Sequence, residues 1–131
     1  MENEIITFTI PGTPVPKARA RVTRGGWSFT PKKTRQYENL VKMMGILARK
    51  GCQLSISGGD FCLEVICYGA KRGDADNYLK SIMDGLEGVF WENDKSVVDA
   101  RVVKTCCAKG EERVVVRISK SNLQTSNEEA E

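Results

Sequence analysis

A chain of 131 residues with 40% hydrophobic content and a net charge of +3 is long enough for one domain with a real core, and too short for two ordinary ones. No apolar run approaches the roughly 18 residues of a membrane span, and Met1 opens directly onto MENEIITFTI without a charged-then-apolar leader, so a soluble, cytoplasmic protein with no membrane partner is expected. The absence of histidine excludes Ser/His and Cys/His nucleophile systems and histidine-based metal nucleases, so any catalysis must run on carboxylate, lysine and metal.

In chain order, Ile5 to Ile10 (IITFTI) alternates β-branched residues and is predicted as a strand ending at Pro11-Gly12. Pro14 and Pro16 favour extended backbone, giving an arm that presents Lys17, Arg19 and Arg21. Gly25-Gly26 suggests a tight hairpin turn that leaves Trp27 and Phe29 near the basic arm, where aromatics among arginines can stack on nucleobases, although at least one of them is expected to pack in the core. Thr30 as N-cap followed by Pro31 starts a helix running to about Arg49, with Tyr37, Leu40, Val41, Met44, Leu47 and Ala48 on its apolar stripe and Gly51 as its stop. Gln53 to Gly59 is polar with a Gly-Gly turn. Phe61 to Tyr68 then reads as a strand apolar on both faces.

A second helix is predicted over Asn77 to Leu86, with Tyr78, Leu79, Ile82, Met83 and Leu86 on one side and Gly88 as its stop. Val97 to Ala108 and Glu112 to Ser119 read as strands joined as a hairpin through Lys109-Gly110. This order of elements predicts an α+β domain over residues 1–120, a mixed β-sheet packed with two main helices. Residues 121–131 form an acidic tail expected to be disordered. The five cysteines show no CxxC spacing and are read as buried, reduced thiols.

The chemistry concentrates in KRGDADNYLKSIMDGLEGVFWENDKSVVD, residues 71–99. Asp74, Asp76, Asp84 and Asp94 gather there around Lys80. Carboxylates repel one another, and a bound cation is the usual compensation. Asp74 and Asp76 sit at a strand-to-helix junction where a turn can aim both at one cation, while Asp76, Lys80 and Asp84 fall along one helix face at four-residue intervals. Simpler readings stand beside this one: Asp76 as a helix N-cap, Asp94 as the cap of a short turn, Lys80 as an ordinary i, i+4 ion pair. Mg²⁺, or Mn²⁺ in its place, suits two or three aspartates with open positions for water and phosphate. From Pro11 to Lys50 ten basic residues face the single acid Glu38, the balance expected of a surface that holds a polyanion.

The opening PGTPVPKARAR, the helix start FTPKKTRQYE, the block RGDADNYLKSIMDGLEGVFWENDKSVVD and the closing KGEERVVVRI together resemble the RusA-type Holliday-junction resolvases, structure-selective DNA endonucleases of bacteria, phages and prophages. The resemblance implies that Asp74, Asp76 and Asp94 form the metal site, that Lys80 is the lysine required for catalysis, and that Asp84 orients. Asn93-Asp94 stands where many relatives have two acids. It also implies a compact α+β homodimer that resolves four-way DNA junctions by paired metal-dependent incision in recombination and repair, without an organic cofactor. DNA contacts are expected from Lys17, Arg19, Arg21, Lys32, Lys33, Arg35, Lys71 and Arg72. The alternatives are a non-cleaving junction or duplex binder, and a nuclease acting on other branched or RNA substrates.

Overall fold

The computed structural model describes residues 5–18, 21–51 and 59–121, with the side chain of Arg21 outside that description. The expected Gly-Gly loop falls largely, and the acidic tail almost wholly, outside the described residues. The elements are β1 (Ile5–Pro11), β2 (Arg21–Val22), β3 (Ser28–Phe29), α1 (Lys32–Lys50), β4 (Phe61–Tyr68), α2 (Ala75–Leu86), a 3₁₀ turn (Asp94–Ser96), β5 (Val97–Thr105) and β6 (Arg113–Lys120). Four strands form one mixed sheet in the order β1-β6-β4-β5, and β2 and β3 pair separately. This is a single α+β domain. No described helix is long and apolar enough to cross a membrane.

The C-terminal strands do not form the expected hairpin. β4 lies between them, parallel to β5 through α2 as the crossover and antiparallel to β6. Alternation identifies a strand but not its partner, and here β4, the strand with the most continuous apolar sequence, takes an interior position beside β6. Its Phe61, Leu63, Val65 and Cys67 are buried, while Cys62, Glu64, Ile66 and Tyr68 on the other face are half-buried. The helices cover only the first of these faces.

The core joins that face to both helices and to the turn after α2. Tyr37 and Val41 of α1, Tyr78, Ile82 and Leu86 of α2, and Val89, Phe90 and Trp91 of the turn are all buried. Each such apolar side chain contributes about 1.5–3 kcal/mol relative to exposure. Two glycines let the helices approach: a Cβ added at Gly85 would lie 2.7 Å from Val41 Cβ and 3.0 Å from the Glu38 carbonyl, and one at Gly45 would lie 2.6 Å from Leu86 Cδ2. The close approach brings Glu38 of α1 alongside the site face of α2.

Several local expectations are corrected. Pro31, not Thr30, is the N-cap of α1, and no side chain caps it; the Thr30 carbonyl instead accepts from Arg35 Nε at 3.2 Å. Leu47 is exposed with Met43 and Ile46, because the buried stripe runs through Thr34, Tyr37, Val41 and Gly45. Neither Trp27 nor Phe29 enters the core. Of the cysteines described, Cys67 is buried but Cys106 is exposed, since it lies just beyond the end of β5.

Candidate active site

Asp74 occupies the N-cap position of α2, and its side chain makes no capping hydrogen bond. The helix start is closed by its carbonyl, which accepts from the amides of Asn77 at 3.0 Å and Tyr78 at 3.3 Å. Asp76 lies in the first turn, where the helix dipole favours a negative charge. Both carboxylates are solvent-exposed, and neither is engaged in an ion pair or hydrogen bond among the described residues. The capping explanation therefore accounts for neither side chain.

The loop that delivers them is held from several directions. Gly73 adopts φ +95°, and a Cβ there would press on Pro16 at 3.2 Å. Lys104 of β5 donates to the Gly73 carbonyl at 2.8 Å, and the Tyr78 hydroxyl donates to the Arg72 carbonyl. The Lys17 amide donates to the Asn77 carbonyl at 2.8 Å, which lays the N-terminal arm along the start of α2.

At the other end of the site, the turn after α2 is anchored by Phe90 and Trp91, whose rings lie 6.4 Å apart, with Trp91 5.7 Å from Phe61 of β4. Arg49 of α1 donates to the Val89 carbonyl at 3.0 Å. Beyond this apolar plug, Asn93 caps the 3₁₀ turn by accepting from the Lys95 amide at 2.8 Å. Asn93 thus performs the capping considered for Asp94 and leaves that carboxylate to face α2.

The side chains meet in a chain of alternating charge. Glu38 Oε2 lies 2.7 Å from Lys17 Nζ, Lys17 lies 3.0 Å from Asp84 Oδ2, Asp84 Oδ1 lies 3.1 Å from Lys80 Nζ, and Lys80 lies 3.1 Å from Asp94 Oδ2. Hydrogen bonds to Asp84 and Asp94 hold the Lys80 pKa above the ordinary lysine value. Burial works against the charge of Lys17, but its bonds to Glu38 and Asp84 outweigh that and raise its pKa too. Both ammonium groups are charged at neutral pH.

Lys17, expected on a phosphate-binding arm, has its ammonium between Glu38 and Asp84. Lys32, Lys33 and Arg35 are exposed on the first turn of α1, and Lys71 and Arg72 are exposed on the loop before α2. Arg19 lies outside the described residues. The sequence reading missed Glu38, Asn93 and Lys104. Glu38 was legible as the only acid in a basic segment, a signal for a specific partner; the other two depend on turn and sheet geometry.

A family model described as endodeoxyribonuclease RusA matches residues 11–119. The chain belongs to the RusA endodeoxyribonuclease family. A search of curated proteins finds none that matches the chain. Membership in the RusA family makes DNA phosphodiester hydrolysis the chemistry to which the site must answer, and the match spans every site residue from Lys17 to Lys104.

A RusA-type nuclease implies a divalent metal, and the residues can be tested for their fit to one. Among the described residues no three His, Cys, Asp or Glu side chains gather closely enough to hold an ion. Mg²⁺, however, is commonly bound by one or two carboxylates with water and substrate phosphate completing the shell. Asp94 Oδ1 is shielded from solvent with no hydrogen-bond partner, an arrangement that is costly unless a cation or water satisfies it. The donor chemistry and this orphaned oxygen fit a hard cation.

Proposed function

We propose that the chain is a divalent-metal-dependent endonuclease that resolves four-way DNA junctions, acting as a homodimer with one acidic site per subunit. The observation that carries this reading is Lys80 held between Asp84 and Asp94, beside two aspartates at the start of the same helix that are unengaged among the described residues. One or two of Asp74, Asp76 and Asp94 would hold Mg²⁺ or Mn²⁺, with water and substrate phosphate completing the shell. When bound, the ion supplies charge neutralisation at the scissile phosphate and a water of lowered pKa.

Lys80 places a fixed positive charge where negative charge develops on the phosphate oxygens, and Asp84 keeps it there. Lys17 holds Asp84 from behind, and Glu38 holds Lys17. Lys32, Lys33, Arg35, Lys71 and Arg72, with Arg19 and Arg21 from the arm, supply phosphate contacts whose strength comes from counterion release. Two sites are needed for paired incision, so the dimer belongs to the mechanism.

The deciding experiment is cleavage of a synthetic four-way junction in Mg²⁺ by wild type and Asp76→Asn. Wild type is expected to yield nicked duplex and Asp76→Asn to bind without cutting. Equal cutting would remove the metal assignment. Salt-sensitive binding by wild type with no product in any divalent metal would make the chain a junction binder instead. Light scattering that gives a monomer mass at micromolar protein would contradict paired incision.

A further inference from the structure

The β2–β3 hairpin displays large apolar side chains that the core leaves outside. Trp27 is 76% exposed, Phe29 is 46% exposed and Val22 is 67% exposed. The register pairs Arg21 with Phe29 and Val22 with Ser28. Alternation along the extended segment puts Trp27 and Phe29 on one side, and Val22 and Ser28 on the other.

This hairpin is built to hold its shape. The Thr23 amide donates to the Trp27 carbonyl at 2.8 Å and the Gly26 amide to the Thr23 carbonyl at 3.0 Å. The Trp27 amide donates to Thr23 Oγ1 at 3.1 Å. The indole lies against Gly25, where an added Cβ would come within 3.3 Å of its Cδ1. A positioned indole loses less freedom on binding than a mobile one.

The hairpin is also tied to the candidate active site at both ends. Lys17, on its N-terminal side, bonds Asp84 and Glu38; Pro31, on its C-terminal side, caps the helix that carries Glu38. Trp27 precedes the start of α1 at Lys32 by five residues, so it stands at most about 17 Å away. That is on the order of five nucleotide steps. Between Lys17 and Tyr37 the sequence holds six basic residues and no acid. The partner that suits aromatic faces set among positive charges is a polyanion with accessible aromatic rings of its own.

In continuous duplex the bases are stacked on one another, and an indole has no free ring to meet. At a branch point or in a single strand the ring faces are open. We propose that the Trp27 and Phe29 face is a stacking platform for unstacked nucleobases, and that it distinguishes branched from continuous DNA. The proposal rests on the nucleic-acid reading of the site. It assigns the hairpin a task separate from hydrolysis.

Tryptophan emission tests it directly, because Trp91 is fully buried and supplies a constant background. A synthetic four-way junction and an oligothymidylate are each expected to quench Trp27, and a continuous duplex to leave it largely unquenched. Trp27→Ala is expected to lose roughly 5- to 150-fold in junction affinity, the range of one base–aromatic stack. Its duplex affinity should stay within about twofold. Trp27→Phe should recover most of the loss, whereas a purely structural role for the indole would lower junction and duplex binding alike.

Equal quenching by duplex and junction, or junction affinity unchanged in Trp27→Ala, would overturn the proposal. Failure here is distinguishable from failure of the nuclease reading. A wild type that cuts junctions without quenching keeps its catalytic assignment and loses the platform. One that is quenched by unpaired DNA but cuts nothing keeps the platform and loses the catalytic assignment.

Discussion

Lys17 and Lys80, from distant parts of the chain, share the carboxylate of Asp84: Lys17 lies 3.0 Å from Oδ2 and Lys80 lies 3.1 Å from Oδ1. Two ammonium groups drawn toward one acid would repel each other without it. Lys80 is half exposed, so its pair with Asp84 contributes little to stability, about 0.2–1 kcal/mol before screening. Its value is positional.

Asp84→Asn should therefore impair cleavage more than binding. Asparagine keeps the shape but not the charge, leaving Lys80 free to swing toward Asp94 or solvent. Misplacement of a catalytic group by about 1 Å costs on the order of 100-fold in rate, so a loss of about 10- to 100-fold is expected. Single-turnover rates on a four-way junction, beside gel-shift affinities that change little, would check this. A parallel loss of affinity would place Asp84 in DNA binding instead.

Gly85→Ala tests whether helix contact builds the site. Alanine improves helix propensity by up to about 1 kcal/mol, but its methyl would meet Val41 Cβ at 2.7 Å and the Glu38 carbonyl at 3.0 Å. Overpacking of this kind costs about 1–3 kcal/mol and should outweigh the propensity gain. A lowered urea midpoint with reduced cleavage is expected, because α1 must move and takes Glu38 with it. A stabilised variant would show that the helices have slack.

The surface cations should be read out by salt. Replacing Lys32, Lys33 or Arg35 singly by alanine should lower the slope of log affinity against log salt by about 0.9 for each lost phosphate contact, across all sequences alike. Lys17→Ala should change that slope little and cleavage strongly, since its ammonium is taken up by Glu38 and Asp84. Fluorescence anisotropy over a salt series separates the two groups.

Alkaline pH should weaken the fold through Cys67. Burial pushes this thiol up to about 11 from an ordinary 9.0, with Lys104 acting the other way. The unfolded chain gives up the proton first, so stability is complete below about pH 9 and is lost as pH rises through about 11. The loss from this group is at most about 3 kcal/mol. Urea midpoints across the window should fall less steeply in Cys67→Ala, even though that variant starts lower. A residual slope is expected from Tyr37, whose hydroxyl is also raised by burial, and from the paired Lys17 and Lys80.

The sequence alone determined whatever depends on short-range pattern and on chemical type. Alternation located β1, β4 and β6, and helical periodicity located α1 and α2 to within two residues. The gathering of Asp74, Asp76, Asp84 and Asp94 around Lys80 was legible because these residues lie within one helix and its flanking loops. The family was legible for the same reason, since its motifs are local.

Tertiary structure alone decided which strand lies beside which, because pairing depends on how much apolar surface each strand can bury on both sides. β4 therefore separates β5 from β6, although their connection looked like a hairpin. It also decided the fate of individual polar groups. Asn93 takes the cap and frees Asp94. Gly85 admits α1 closely enough for Glu38 to reach Lys17, and Lys17 is drawn off the arm into the acid chain. Trp27 stays outside on the separate β2–β3 hairpin, while Phe61, Phe90 and Trp91 fill the core. The Asn93 cap is local, two residues from Lys95; the other outcomes turn on which residues far apart in sequence meet, set by close packing and charge compensation in three dimensions.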